Sequence, residues 1–299
     1  MLDYAFEIEH FDDHLGRMLD ELEKRNLLDN TLIIVTADNG MPFPRVKGQK
    51  YEMSNHLPFA AMWPKGIKNP GRVVDDFVNF IDIAPTFLDV AGLNTKKAGM
   101  QPVSGKSLTD IFNSPKSGRV ISSRDHVLIG KERHDIGRPH DWGYPVRGII
   151  TETHLYIENF EPTRWPAGNP ETGYLNTDGS PTKTSILNMR RSGQDTRYWQ
   201  LNFGKRPPIE FYDISKDPDC VNNLVENREL YDKQKELKER LYSRLKNQKD
   251  PRMFGKGHIF DDYIYSGDST RGFYERFTSG EKMKAGWVNP TDFEPEPLD

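Results

Sequence analysis

The stretch Thr31–Gly40, TLIIVTADNG, decides the fold that we predict for this chain. Its first six residues favour a β-strand, and both faces of that strand are apolar, which is typical of a central parallel strand covered by helices. Asp38, Asn39 and Gly40 follow directly. In open α/β sheets, ligands bind beyond the carboxyl ends of the strands. The stretch therefore predicts an α/β fold with polar side chains at a ligand-binding edge.

The flanking sequence supports an α/β topology. Apolar residues alternately four and three apart predict a helix before the strand: Tyr4, Ile8, Phe11, Leu15, Met18 and Leu22. Two further strands are predicted at 59–63 and 78–81, and Asp82 opens a helix that runs through Val90 and that Gly92 stops. We assign residues 1–120 to the α/β core, part of a mixed sheet with flanking helices.

The sequence pattern changes after about residue 120. Short extended runs at 126–129, 148–151, 155–157 and 210–214 lie among turn residues, and a polar helix is predicted from Arg228 to about Gln248. We therefore expect a smaller antiparallel α+β domain with one helix over residues 121–250. Residues 251–299, which are turn-rich and aromatic, are expected to form a wrapping tail.

Composition excludes several classes of protein. The chain has 299 residues, a net charge of −4 and no block of lysine or arginine, so a nucleic-acid partner is not expected. Its longest apolar runs are too short to cross a bilayer, and the first ten residues do not have the pattern of a signal peptide. A single cysteine, Cys220, cannot form a disulfide within the chain.

Asp38 and Asn39 carry hard oxygen donors of the kind that Ca²⁺ or Mg²⁺ binds. The alternative is a plain strand-to-turn junction, because Asp-Asn-Gly is common in turns. His10 and His14 have a spacing that can hold zinc, but the glutamate of a metalloprotease helix is missing between them. Exposed histidines are the simpler interpretation of that pair.

Several blocks together resemble the sulfatase family, within the alkaline-phosphatase superfamily. They are EIEHFDDHLGRMLDELEKRNLLDNT, TLIIVTADNG, VKGQKYEMSNHLPFAAMWPKGI, VVDDFVNFIDIAPTFLDVAGL and GKSLTDIF, with a weaker match at EFYDISKDPDCVNNL. The resemblance covers the first 115 residues well and the rest thinly. It points to the C-terminal portion of a sulfatase, and the residues after Gly40 are most similar to the heparan N-sulfatase branch.

The resemblance implies roles for particular residues. Asp38 and Asn39 would bind the divalent cation, Ca²⁺ in most sulfatases, with Mg²⁺ as the other option. Lys47, which begins the pattern K-G-x-x-Y-E, would contact the sulfate, with Arg45 and Lys50 as substitutes if the loop register differs. An ammonium group there would stabilise charge on the transferring group.

Three further residues are predicted to bind substrate. His134 and Arg138 belong to the segment that approaches the sugar in the sulfatase layout, and His56 precedes the second strand. A histidine–aspartate pair with arginine beside it suits sugar hydroxyls and anionic groups. Trp142, Trp165 and Trp199 would stack on sugar rings or anchor loops, and we favour anchoring.

The family's nucleophile motif, C/S-x-P-x-R, which becomes formylglycine, does not occur in the 299 residues. The surroundings of Cys220 do not fit it. We therefore expect a partial site that is inactive alone and works with a partner carrying the N-terminal sulfatase half, or as a homo-oligomer. The parent reaction would be hydrolysis of a sulfate ester or sulfamate on a glycosaminoglycan-like sugar.

Two alternatives remain open. One is a phosphate or phosphonate monoester hydrolase of the same superfamily, and the other is a non-catalytic carbohydrate-binding fragment. Family analogy places the reaction in the periplasm, outside the cell or in the lysosome.

Overall fold

The computed structural model describes residues 2–299. Its α-helices are α1 Leu2–Lys24, α2 Glu52–Asn55, α3 Ile83–Val90, α4 Thr109–Phe112, α5 Pro181–Arg191, α6 Arg197–Asn202, α7 Tyr231–Asn247, α8 Ile259–Asp262 and α9 Phe273–Thr278. Its strands are β1 Ile33–Thr36, β2 Phe59–Met62, β3 His126–Lys131, β4 Val146–Thr151, β5 His154–Asn159 and β6 Ile209–Asp213. Short 3₁₀ helices join them at Leu28–Asn30, Phe80–Asp82, Pro139–Asp141, Pro170–Thr172, Arg228–Leu230, Pro251–Phe254 and Pro290–Asp292. The mixed α/β class expected from the sequence is confirmed.

The chain forms two compact units. The first consists of residues 1–37 and 58–125, and the second of residues 38–57 and 126–299. The loop that follows Ala37 thus belongs to the second unit, together with the antiparallel sheet.

The first unit contains the helix and strand predicted around TLIIVTADNG. The prediction of a parallel β1 was wrong: β1 pairs antiparallel with β2, with Ile33 opposite Met62. Because this sheet has two strands, every residue of β1 is only partly buried. Residues 78–81 were predicted as a strand, but Asn79 and Asp82 form a capping box there, and the backbone enters a 3₁₀ helix leading into α3.

A small core holds the first unit together. Leu108, Ile111 and Phe112 are buried, and partly buried residues from β2, from the following loops and from Leu32, just before β1, surround them. Asp82 is buried and accepts a hydrogen bond from the Arg124 guanidinium at 3.0 Å, so the charge of each group is compensated.

Helix α1 extends two residues beyond the predicted stripe at each end. None of its residues is buried. Phe6, Ile8, Phe11 and Met18 are each more than half exposed. An exposed apolar face of this kind marks a surface that another protein segment can cover.

The second unit is built on a four-stranded antiparallel sheet in the order β3-β4-β5-β6. All four predicted extended runs are strands of this sheet. Helix α7 lies across it, and Leu237, Leu241 and Leu245 pack on Ile149 of β4 and on aromatic rings of β5 and β6. The leucine spacing that predicted this helix therefore also predicted its buried face.

Further helices and the C-terminal segment complete the second unit. Helix α5 begins where the Ser180 hydroxyl accepts a hydrogen bond from the Lys183 amide, with Pro181 at the first helical position. Phe273 of α9 packs with Ile136 and Leu175. The predicted tail is thus packed against the loops of this unit.

Truncating a buried side chain on α7 should lower the free energy of unfolding much more than truncating an exposed one on α1. Leu241→Ala removes a fully buried side chain and is expected to lower the free energy of unfolding by about 2–5 kcal/mol. Phe11→Ala removes a ring that is 55% exposed and should change it by less than about 0.5 kcal/mol. Urea titration followed by circular dichroism would measure both, and a large loss from Phe11→Ala would show that α1 is packed in solution.

Candidate functional site

The predicted site residues after Ala37 all belong to the second unit. The loop 38–57 is fixed there by the buried carboxylate of Glu210 on β6. Lys50 lies 2.8 Å from this carboxylate, and the hydroxyl of Tyr51 donates to it at 3.0 Å. Burial alone would raise the pKa of Glu210, but Lys50 and Arg206 outweigh it and lower that pKa to about 2. Glu210 therefore stays ionised and holds the loop.

The substitutes considered for Lys47 are both used for structure. Arg45 donates to the backbone carbonyls of Leu201 and Cys220, and its guanidinium lies over the Tyr51 ring at 3.8 Å from the ring centre. Lys50 is 4% exposed. Lys47 is 32% exposed and is the cation of this loop that a ligand can reach.

The ammonium of Lys47 forms an ion pair with Asp178 at 2.7 Å. Asp178 belongs to a loop of the sequence that was predicted only as turn-rich, and no motif marked it as a site residue. The Asp-Gly dipeptide at 178–179 was the available signal, but such dipeptides mark turns far more often than sites.

Gly48 brings the Lys47 loop against His134. Its φ of +70° favours glycine, and a Cβ atom there would lie 2.8 Å from the His134 ring. The Gly48 carbonyl also accepts a hydrogen bond from Lys131 at 2.5 Å. The glycine of the K-G-x-x-Y-E pattern is thus explained by the close approach of two segments, and Lys47 and His134 are brought together.

His134 is neutral at physiological pH. Partial loss of water around its ring, together with the positive charges of Lys131 and Lys47, lowers its pKa to about 4. A neutral imidazole can both donate and accept hydrogen bonds, which suits sugar hydroxyls. Beside it, burial raises the pKa of Asp135 to about 6, so this carboxylate is ionised above that pH.

Arg138 and His56 are placed differently. Arg138 is 1% exposed and donates to the carbonyls of Trp165 and Pro166, so it holds a loop of the site. Its Nη1 has no hydrogen-bond partner within residues 2–299. The His56 side chain is 78% exposed and pairs with Glu52 of the preceding helix α2 at 2.8 Å.

Asp38 and Asn39 follow β1 in the sequence and have adjacent side chains. The Asn39 amide lies 3.1 Å from a carboxylate oxygen of Asp38, and the Lys47 amide donates to the carbonyl of Met41 at 3.2 Å. In this arrangement the Asn39 amide nitrogen donates to the Asp38 carboxylate. A carboxylate and an amide oxygen are donor types that fit a hard divalent cation once the amide oxygen faces the ion. They would supply two of the six to eight ligands that Ca²⁺ takes, and residues 2–299 contain no cluster of three or more acidic, histidine or cysteine ligands.

Two other sequence features are not chemically active here. The thiol of Cys220 is fully buried, and burial raises its pKa to about 12, so it is not a nucleophile at neutral pH. Trp165 is buried and Trp199 donates to the Tyr174 hydroxyl at 3.0 Å, which agrees with a role in anchoring loops. No helix among residues 2–299 is long and apolar enough to cross a membrane.

Comparison with known proteins shows which family the chain is similar to. Residues 1–93 match the sulfatase family profile. Human N-sulphoglucosamine sulphohydrolase is 26% identical over 226 residues, which are 73% of this chain and 42% of the human protein. The chain thus spans less than half the length of this relative.

Solved structures share the fold. A protein in complex with its substrate D-glucosamine-2-N,6-O-disulfate has a TM-score of 0.54 at 23% identity, covering 80% of this chain and 39% of the other. The phosphonate monoester hydrolase of Agrobacterium radiobacter has a TM-score of 0.52 at 19% identity, covering 79% and 39%. Residues 1–93, which include α1, β1 and β2, thus match the sulfatase family, and the chain is similar to part of the human relative and to part of these solved structures.

Proposed function

We propose that this chain carries the substrate-contacting part of a sulfatase site that hydrolyses sulfate esters or sulfamates on glycosaminoglycan-like sugars. The observation that supports this most is the accessible Lys47 ammonium, held beside the neutral His134 in the same unit as Asp38 and Asn39. A cation next to a hydrogen-bonding imidazole fits an anionic group carried on a sugar.

Each side chain has a distinct task in this proposal. Lys47 binds the sulfate and stabilises the charge that develops on it. His134 orients a sugar hydroxyl, and Arg138 keeps the adjoining loop in place from the interior. Asp38 and Asn39 would hold Ca²⁺, with Mg²⁺ as the other option, and the bound cation would neutralise charge on a sulfate oxygen.

Lys47→Ala should weaken the binding of a sulfated disaccharide by about tenfold or more, because a charge-assisted hydrogen bond is lost. Isothermal titration at pH 7.5 would measure this, with His134 neutral and Asp135 ionised. Lys47→Arg should restore most of the affinity. Lys216→Ala, at a lysine that is 84% exposed, serves as control and should change nothing. Unchanged binding by Lys47→Ala would remove Lys47 from the site.

Binding of the cation is tested separately. Titrated Ca²⁺ should bind the wild-type chain and bind Asp38→Asn at least about tenfold more weakly, since a carboxylate ligand is lost. Asp268→Asn, at an aspartate that is 88% exposed, is the matched control. Saccharide affinity should rise when Ca²⁺ is present. Equal saccharide binding in Ca²⁺ and in EDTA would instead favour the carbohydrate-binding alternative.

We propose further that the site is completed by a second polypeptide segment carrying the formylglycine motif. Two observations support this: no C/S-x-P-x-R sequence occurs among the 299 residues, and the apolar face of α1 is exposed. The missing part of a sulfatase core would bury that face and contribute the nucleophile. In a homo-oligomer, a second copy of the chain would bury the same face.

The chain alone should therefore not turn over an aryl sulfate. Adding an N-terminal sulfatase segment from the same source should restore hydrolysis, and Phe11→Ser should prevent this by weakening the contact. Phe254→Ser is the matched control, because Phe254 lies in the second unit and is also 55% exposed. Turnover by the isolated chain would contradict the proposal of an incomplete site.

Hydrolysis of a phosphate or phosphonate monoester is a second candidate reaction, because a phosphonate monoester hydrolase shares the fold. The charges around Lys47 bear on this choice, because sulfate and phosphate esters differ in charge at neutral pH.

A further inference from the structure

The ion pair between Lys47 and Asp178 places a negative charge at the point where an anionic substrate would bind. The two charged atoms are 2.7 Å apart, and the side chains are 32% and 26% exposed. A ligand can therefore reach the pair from solvent. The anion that approaches Lys47 experiences repulsion from Asp178 as well as attraction to the ammonium.

Asp178 is held in this position by both of its neighbours. The carbonyl of Thr177 accepts a hydrogen bond from the buried ammonium of Lys183 at 2.7 Å, and the amide of Gly179 donates to the carbonyl of Trp287 at 2.6 Å. Lys183 is itself paired with Asp292 at 3.2 Å, and both of these side chains are fully buried. The backbone around Asp178 is thus fixed from two sides, and its carboxylate stays near Lys47.

A second carboxylate contributes to the same electrostatic field. Asp135 follows His134 directly. One carboxylate oxygen of Asp135 accepts a hydrogen bond from the backbone amide of Ile136 at 2.8 Å. Asp178 acts electrostatically on both His134 and Asp135. Above pH 6, two carboxylates therefore accompany Lys47, Lys131 and the buried Arg138, while His134 is uncharged.

This balance distinguishes ligands by their charge. A sulfate ester or sulfamate carries a single negative charge at neutral pH, whereas a phosphate monoester, with its second pKa near 6, carries close to two. Repulsion by a fixed carboxylate scales with the charge of the ligand, so Asp178 disfavours a dianion about twice as strongly as a monoanion.

We propose that Asp178 is a specificity-determining residue, which makes the Lys47 site favour monoanionic sulfate esters and sulfamates over dianionic phosphate monoesters. This inference rests on the proposed function, because it assumes that the anionic group of the substrate binds at Lys47. It assigns the choice between the two reactions of the superfamily to a residue outside the motifs of the sequence.

The test compares two ligands that differ in the charged group. Glucosamine 6-sulfate and glucosamine 6-phosphate are titrated into the full 299-residue chain at pH 7.5 with Ca²⁺ present. The wild-type chain should bind the sulfate ester at least about tenfold more tightly. Asp178→Asn should reduce this preference by about tenfold, mainly through tighter binding of the phosphate ester, because one like charge near the ligand is removed.

Three variants make the comparison specific. Asp178→Glu keeps the charge and should retain the preference, and Asp178→Ser should lose it as Asp178→Asn does. Asp268→Asn removes an exposed carboxylate elsewhere in the second unit and should leave the ratio unchanged. Circular dichroism of each variant confirms that the unit is folded.

The possible failures are distinguishable. A wild-type chain without preference, or an Asp178→Asn variant that binds both esters with the wild-type ratio, would overturn this inference and leave the proposed function standing. A wild-type chain that binds neither ester would overturn the proposed function and this inference with it.

Discussion

The candidate site depends on one buried carboxylate. Glu210 lies in the middle of β6 and accepts hydrogen bonds from the Tyr51 and Tyr212 hydroxyls and from the Asn159 amide, in addition to its contact with Lys50. A charge buried this deeply is stable only when its hydrogen-bonding capacity is satisfied. The Lys47 loop supplies two of these partners, so it is bound to the sheet by the requirement that Glu210 be neutralised.

Residues 47–52 therefore serve two purposes, fixing the loop and presenting a cation to solvent. In the K-G-x-x-Y-E pattern, Lys50 and Tyr51 face the interior and fix the loop, while Gly48 permits contact with His134. Lys47 is left partly exposed. The accessible cation is therefore presented by a rigid backbone, which is what binding of a small anionic group requires. Its partner Asp178 is equally rigid, since Lys183 and the 287–292 segment hold the adjoining backbone.

Much of the second unit was predictable from local patterns. The four short strands and the leucine face of α7 follow from periodicities of two and of 3.6 residues, which depend only on neighbouring positions. The parallel arrangement of β1 was not predictable, because apolar residues on both faces of a strand do not determine its direction or the number of its partners. Residues 78–81 have strand-like composition, but local hydrogen bonds of Asn79 decided their conformation.

Some residues of the candidate site could be predicted from the sequence, and others could not. The sequence singled out Lys47 and His134, and the structure brings them together. The positions of Asp178, Lys183 and Lys131 could not be found from the sequence, because their importance arises from contacts between segments that are far apart in the chain. The metal and substrate roles of Asp38, Asn39, His134, Arg138 and His56 stay predictions.

The way the second unit is threaded has a consequence for the order of folding during synthesis. Lys50 reaches Asn159 across 109 positions of the chain, Lys47 reaches Asp178 across 131, and Tyr51 reaches Glu210 across 159. The loop is therefore translated early, yet it acquires its partners only after β5, the Asp178 turn and β6 have left the ribosome. Closure of such long loops is slow, so this candidate site is among the last parts of the protein to mature.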